Sequence, residues 1–166
     1  RVDVGALEPP EEAEGDGGNL PAMLPEFPVV VLARANLISA ADQCTWLTPD
    51  SAAALQDNVR RGNGLMAVHA GTARYEQTAG MKELMGGVFE RHPEQCAVTM
   101  EPCAGHPLTA GVAKFVVRDE HYFMTMTETP VDVFLHSRSD HGVQPAGWTR
   151  AEGEGRVCVL TPGHNL

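Results

Sequence analysis

The chain has 166 residues, enough for one domain with a buried core, and its 43% hydrophobic content is that of a globular protein rather than a disordered one. Its formal net charge of −10 argues against nucleic acid, whose phosphates need clustered Lys and Arg, and gives no support for an anionic membrane surface. No apolar run approaches the ~20 residues of a membrane helix. The four cysteines, Cys44, Cys96, Cys103 and Cys158, lack the C-x-x-C spacing of zinc ribbons and thioredoxin-like motifs.

Along the chain, Arg1 to Val4 alternates like a short strand, and residues 8–19, rich in Glu, Pro and Gly, read as a solvated loop. Residues 28–33 (PVVVLA) form a β-branched run suited to a strand buried on both faces of a parallel sheet. Thr48-Pro49-Asp50 opens a helix, with Thr48 as N-cap and Pro49 at the first helical position. Ala52, Leu55 and Val59 share one face of that helix, Arg60 and Arg61 suit its C-terminal dipole, and Gly62 or Gly64 ends it. A second buried strand covers 65–68 and stops at His69. A short helix is expected over 75–85, weakened by Gly80 and closed by Gly86 and Gly87. Residues 96–100 and 115–117 read as later strands, 131–135 as a half-buried strand, and 156–160 as the last strand. Early strands alternate with helices, and later ones are hairpin-like. That pattern predicts an α/β layered fold with a parallel core and a mixed edge. The cysteines are expected to be reduced and mostly buried.

Chemistry concentrates where apolar strands end. His69 follows GLMAV between small residues, at the kind of carboxyl edge where α/β sheets bind ligands. A structural histidine at a strand end fits the same pattern. Asp119-Glu120-His121-Tyr122 follows an apolar strand, and Glu120 and His121 can supply a ligand, an acid or a base. Thr161-Pro162-Gly163-His164 mirrors the first motif. Two histidines and a carboxylate make a common open metal site, although no local H-x-x-x-H spacing supports one here. In RSDHGVQPAGW (138–148), Asp140, His141, Gln144 and Trp148 combine hydrogen-bonding groups with an aromatic face, a mixture suited to polyols or simply an ordinary loop. His106 reads as a turn residue and His136 as exposed. His92, before Pro93, can point either way.

The ordered set GLMAVHAGTARY (64–75), GGVFERHP (86–93), HPLT (106–109), DEHYF (119–123), HGVQPAGW (141–148) and GRVCVLTPGHN (155–165) resembles the trehalose-utilisation (ThuA-like) family. The resemblance implies a flavodoxin-like layered sheet related to class I glutamine amidotransferases. It places His69 where those enzymes carry a nucleophilic cysteine and His164 at their later histidine. Without a thiol at the elbow, thioester glutaminase chemistry has no nucleophile. A single domain over 1–166 follows, expected to lack the family's first strand and helix and its closing helix.

Two functions then stand open. One is a carbohydrate enzyme of trehalose or disaccharide metabolism. His69, Glu120 and His164 would bind a divalent ion, zinc foremost, or act directly as acid and base. Tyr122, His121, Asp140, His141, Gln144 and Trp148 would position the sugar. The other is a non-catalytic sugar-binding or interaction domain of a larger protein. Neither calls for a nucleotide cofactor, nucleic acid or membrane, and a homo-oligomer fits both. The expected location is the cytoplasm, and a removed leader stays open because the first residue is Arg1 rather than Met.

Overall fold

The computed structural model describes residues 19–165. The strand expected at 1–4 and nearly all of the loop at 8–19 lie outside them. After a four-residue helix α1 (Leu20–Met23), the chain forms β1 (Val29–Leu32), α2 (Pro49–Arg60), β2 (Gly64–Val68), α3 (Met81–Met85), β3 (Gly87–Arg91), β4 (Cys96–Pro102), β5 (Phe115–Asp119), β6 (Phe123–Met126), β7 (Asp132–Ser139), β8 (Gly142–Glu152) and β9 (Gly155–Leu160). Seven strands make one sheet in the order β1-β2-β9-β8-β7-β4-β5, and β3 pairs with β6 in a separate ribbon. The β1-β2-β9 part is parallel and the rest is antiparallel. This is the expected α/β sheet with a parallel core and a mixed edge. No helix among the described residues is long and apolar enough to cross a membrane.

Helix α2 forms where its caps predict. The Thr48 side chain accepts from the Ser51 amide, Pro49 takes the first helical position, and Gly62 follows at φ +115°. Its buried residues Ala52, Leu55 and Val59 pack with Leu65, Ala67, Val157 and Val159 of the parallel strands, together with Trp148, Tyr75 and Met81. Val98, Met100, Phe134, Leu135 and Ala146 form a second, smaller cluster in the antiparallel half. Thr48→Ala is expected to lower stability by about 1 kcal/mol, the usual cost of a lost N-cap. A urea midpoint unchanged from wild type would show that the cap adds nothing.

Four expectations are corrected. Strand β1 is not buried on both faces: among the described residues its one strand neighbour is β2, and Val29 and Val31 are exposed while Leu32 enters the core. The helix expected over 75–85 is only Met81–Met85, because Gly80 adopts φ +74° as its N-cap and Tyr75 is tied away from it by a bond to the Arg34 carbonyl. The cysteines are free as expected, but Cys44 is exposed and the other three are only half-buried. His136, expected to be exposed, is half-buried, with Nδ1 3.5 Å from Cys103 Sγ.

The region 138–148 holds the largest difference. It is the tip and ascending arm of the β7–β8 hairpin rather than a long loop. Gly147 pairs with Leu160, so the residues before it run past the end of β9. Trp148 pairs with Val133 and Val159 and is fully buried, its indole N–H donating to the Met85 carbonyl at 2.8 Å. The aromatic ring therefore belongs to the core beneath α3 and offers no face to a sugar.

Candidate active site

Three loops at the carboxyl ends of strands build the site. β2 ends at Val68, and His69 follows with φ +46°, in the left-handed region that side chains seldom occupy. This turn lies tight against β1: a Cβ on Gly71 would come within 1.8 Å of the Leu32 carbonyl oxygen, so only glycine fits there. Glu120 follows β5, and His164 follows β9 beyond Gly163, whose φ is +144°.

The three side chains meet. His69 Nε2 lies 3.4 Å from Glu120 Oε2, and His164 Nδ1 lies 3.2 Å from Glu120 Oε1. One ligand atom from each residue can be chosen so that all three lie within 4.8 Å of one another. The tautomer of His69 is set by its other nitrogen. Nδ1 lies 2.9 Å from the Thr161 carbonyl, which can only accept, so Nδ1 carries a proton, and in the neutral ring the Nε2 lone pair faces Glu120. Tyr122 donates its hydroxyl to that lone pair at 3.1 Å. Burial, reinforced by the charges of Glu120 and Asp119, pushes the Tyr122 phenol upward, so it stays protonated as a donor.

His92, left open by the sequence, joins the same cluster. Its Nδ1 donates to the Pro93 carbonyl at 2.8 Å, and its Nε2 lies 3.8 Å from Glu120 Oε2. The Tyr122 ring stacks with two imidazoles, its centroid 4.3 Å from that of His69 and 5.8 Å from that of His92, each at 24°. His69 and Glu120 are the sheltered members, and His92 and His164 form the open rim.

The expected sugar-positioning residues are placed differently. Tyr122 is in the site, but its ring is buried, so it brings a hydroxyl rather than a platform. His121 alternates away from Glu120 and is buried, with its two nitrogens bonded to Ser139 and Ser137. Burial depresses its basicity, so it is held neutral. Gln144 accepts from the Met124 amide and ties β8 to β6. Asp140 and His141 are exposed at the hairpin tip, which projects past the edge where His69 and His164 lie. Trp148 faces the core.

Asp119 was not singled out by the sequence. It is buried, and its carboxylate accepts from the amides of Gly163 at 2.9 Å, His164 at 3.2 Å and Glu120 at 2.8 Å. A polar residue closing a strand in the DEHYF motif was the available signal, but its partners 44 and 45 residues away were not legible.

Comparison with known proteins adds the following. A family model described as trehalose utilisation matches residues 21–166. No curated protein matches by sequence. Among solved structures, a ThuA-like protein from Bacteroides uniformis superposes with a TM-score of 0.67 at 21% identity, covering 87% of this chain and 63% of that one. A ThuA-like protein from Parabacteroides merdae gives 0.67 at 16% identity, over 89% of this chain and 65% of that one. A cold-adapted β-galactosidase from Rahnella gives 0.58 at 11% identity, covering 82% of this chain and 20% of the enzyme. The chain thus spans less than two thirds of the length of these structural relatives, and at such identities the likeness is one of fold.

Proposed function

The chain belongs to the ThuA (trehalose utilisation) family, and from that premise we propose that it acts on a disaccharide through a divalent ion held by His69, Glu120 and His164. One observation carries the reading: a nitrogen of each imidazole faces an oxygen of the Glu120 carboxylate at 3.2–3.4 Å, and one ligand atom from each of the three residues lies within 4.8 Å of the others. Two imidazoles and one carboxylate converging in this way are a donor set that suits a divalent cation. The two His–Glu120 distances match the roughly 3.3 Å between ligands that stand about 2.0–2.1 Å from a tetrahedral zinc ion. A zinc ion there would polarise a sugar oxygen or acidify a bound water.

The remaining groups act around that point. The Thr161 carbonyl holds the His69 ring in one tautomer, and Tyr122 supports it by stacking. His92, at the open rim with its Nε2 3.8 Å from Glu120, is placed to serve a substrate hydroxyl. Asp140 and His141, on the projecting hairpin tip, remain candidates for sugar hydrogen bonds. The elbow carries an imidazole where a glutaminase would need a thiol, so we assign no thioester chemistry. Four free thiols fit a reducing compartment and support a cytoplasmic placement.

The test is to compare the zinc-loaded chain with the same chain stripped by a chelator, using trehalose and related disaccharides with NMR detection of binding and products. Saturable binding or turnover is expected with the ion and at least ~10-fold less without it. Equal behaviour with and without the ion refutes the ion-assisted reading. Binding without any product favours the sugar-binding module.

A further inference from the structure

The residues that would hold the ion come from parts of the sheet that are far apart. Glu120 follows β5, the outermost strand, and His164 follows β9, with β8, β7 and β4 between them. Something must hold these two loops in register. We infer that Asp119 is the positioning residue of the site, a buried carboxylate that clamps the Glu120 loop to the His164 loop; the inference rests on the reading of the site proposed above.

The bonds of Asp119 support this role directly. Oδ2 accepts from the Gly163 amide, and Oδ1 accepts from the amides of both His164 and Glu120. Two of these bonds go to the backbone of the ligand-bearing residues Glu120 and His164, and the third goes to Gly163, directly before His164. Two successive amides can face one carboxylate because Gly163 takes φ +144°, which opens the turn into a small anion-binding nest. Charge-assisted bonds of this kind are about twice as strong as neutral ones. Asp119 is only 3% exposed, so water does not compete for them. A second tether, from Asn165 Nδ2 to the Arg118 carbonyl at 3.0 Å, joins the same two loops but touches neither ligand.

The test uses cobalt(II) alone, titrated into the purified chain by calorimetry, together with hydrogen exchange at the Gly163 and His164 amides, which needs no ion. Asp119→Asn keeps the volume but loses the charge and one acceptor. Cobalt affinity is expected to fall about 10- to 100-fold, the usual effect of losing a group that orients a ligand. The two amides should exchange faster. The cost of His164→Ala should also shrink in the Asp119→Asn background, because an unclamped His164 contributes less. Asp119→Glu keeps the charge but shifts the carboxylate by one methylene, and the same losses are expected from a chain that stays folded. Wild-type affinity in Asp119→Asn, or an undiminished cost of His164→Ala in that background, overturns the clamp. If the wild-type chain binds no cobalt, the ion reading itself fails and the amides decide. Faster exchange confined to Gly163 and His164 then upholds the clamp, and unchanged exchange overturns it.

Discussion

Replacing His69 by asparagine is expected to abolish divalent-ion binding, lowering affinity for zinc or cobalt by at least ~100-fold, or about 2.7 kcal/mol. The wild-type chain should bind one ion. Asparagine is the useful substitution because His69 sits at φ +46°, and asparagine tolerates the left-handed region better than most residues. A loss of affinity can then be assigned to the missing imidazole rather than to a disturbed turn. The expected size follows from the shelter of the site. His69 is the less exposed of the two histidine ligands, and the Thr161 carbonyl already orients its Nε2 toward Glu120. The ring is held in place before an ion arrives, and the Tyr122 hydroxyl has only to give up its bond to Nε2, so much of the bond strength appears as affinity. Calorimetric titration of both proteins, with metal analysis after gel filtration, makes the comparison. Equal affinity in the two proteins would place any bound ion elsewhere.

Trp148→Ala is expected to destabilise the chain by about 3–5 kcal/mol, the range for removing a buried aromatic side chain. That is a large fraction of the 5–15 kcal/mol typical of a whole domain. The ring is fully buried among residues of both sheet and helices, and its N–H satisfies the Met85 carbonyl at the end of α3. Truncation leaves a cavity and an unpaired carbonyl together. Trp148→Phe keeps most of the ring volume and should cost less, though it still loses the hydrogen bond. Urea unfolding followed by circular dichroism measures both variants. A cost below about 1 kcal/mol for the alanine variant would mean that the ring is not a core residue. The same burial carries a functional consequence: folded Trp148→Phe should bind any sugar ligand as the wild type does.

The site was legible wherever a polar side chain follows an apolar strand. His69, Glu120 and His164 each satisfy that rule, and a sheet with a parallel core brings several strand ends to one edge. His92 follows no such rule, and Asp119, although it closes a strand, carries no local sign of its partners. Which way His92 points depends on the turn after β3, where its Nδ1 finds the Pro93 carbonyl. The role of Asp119 exists only through amides of a loop that follows a different strand. Residues 138–148 misled for a related reason. Gly, Pro and polar residues look like a loop, yet the β7 partner accommodates Pro145 through a register shift near His136 and keeps the rest in the ladder.

By itself, the sequence determined the elements whose signals are local. The cap at Thr48-Pro49, the apolar stripe Ala52-Leu55-Val59 and the β-branched run before Ala33 need only neighbours in the chain to act. It also determined the family, through an ordered set of short motifs. Tertiary structure alone decided which face each residue presents. One-residue alternation sends Glu120 to the site and His121 into the interior between Ser137 and Ser139. Pairing with Val133 and Val159 sends Trp148 into the core. A strand's two faces are chemically equivalent until a partner covers one of them, so partner and register settle the question.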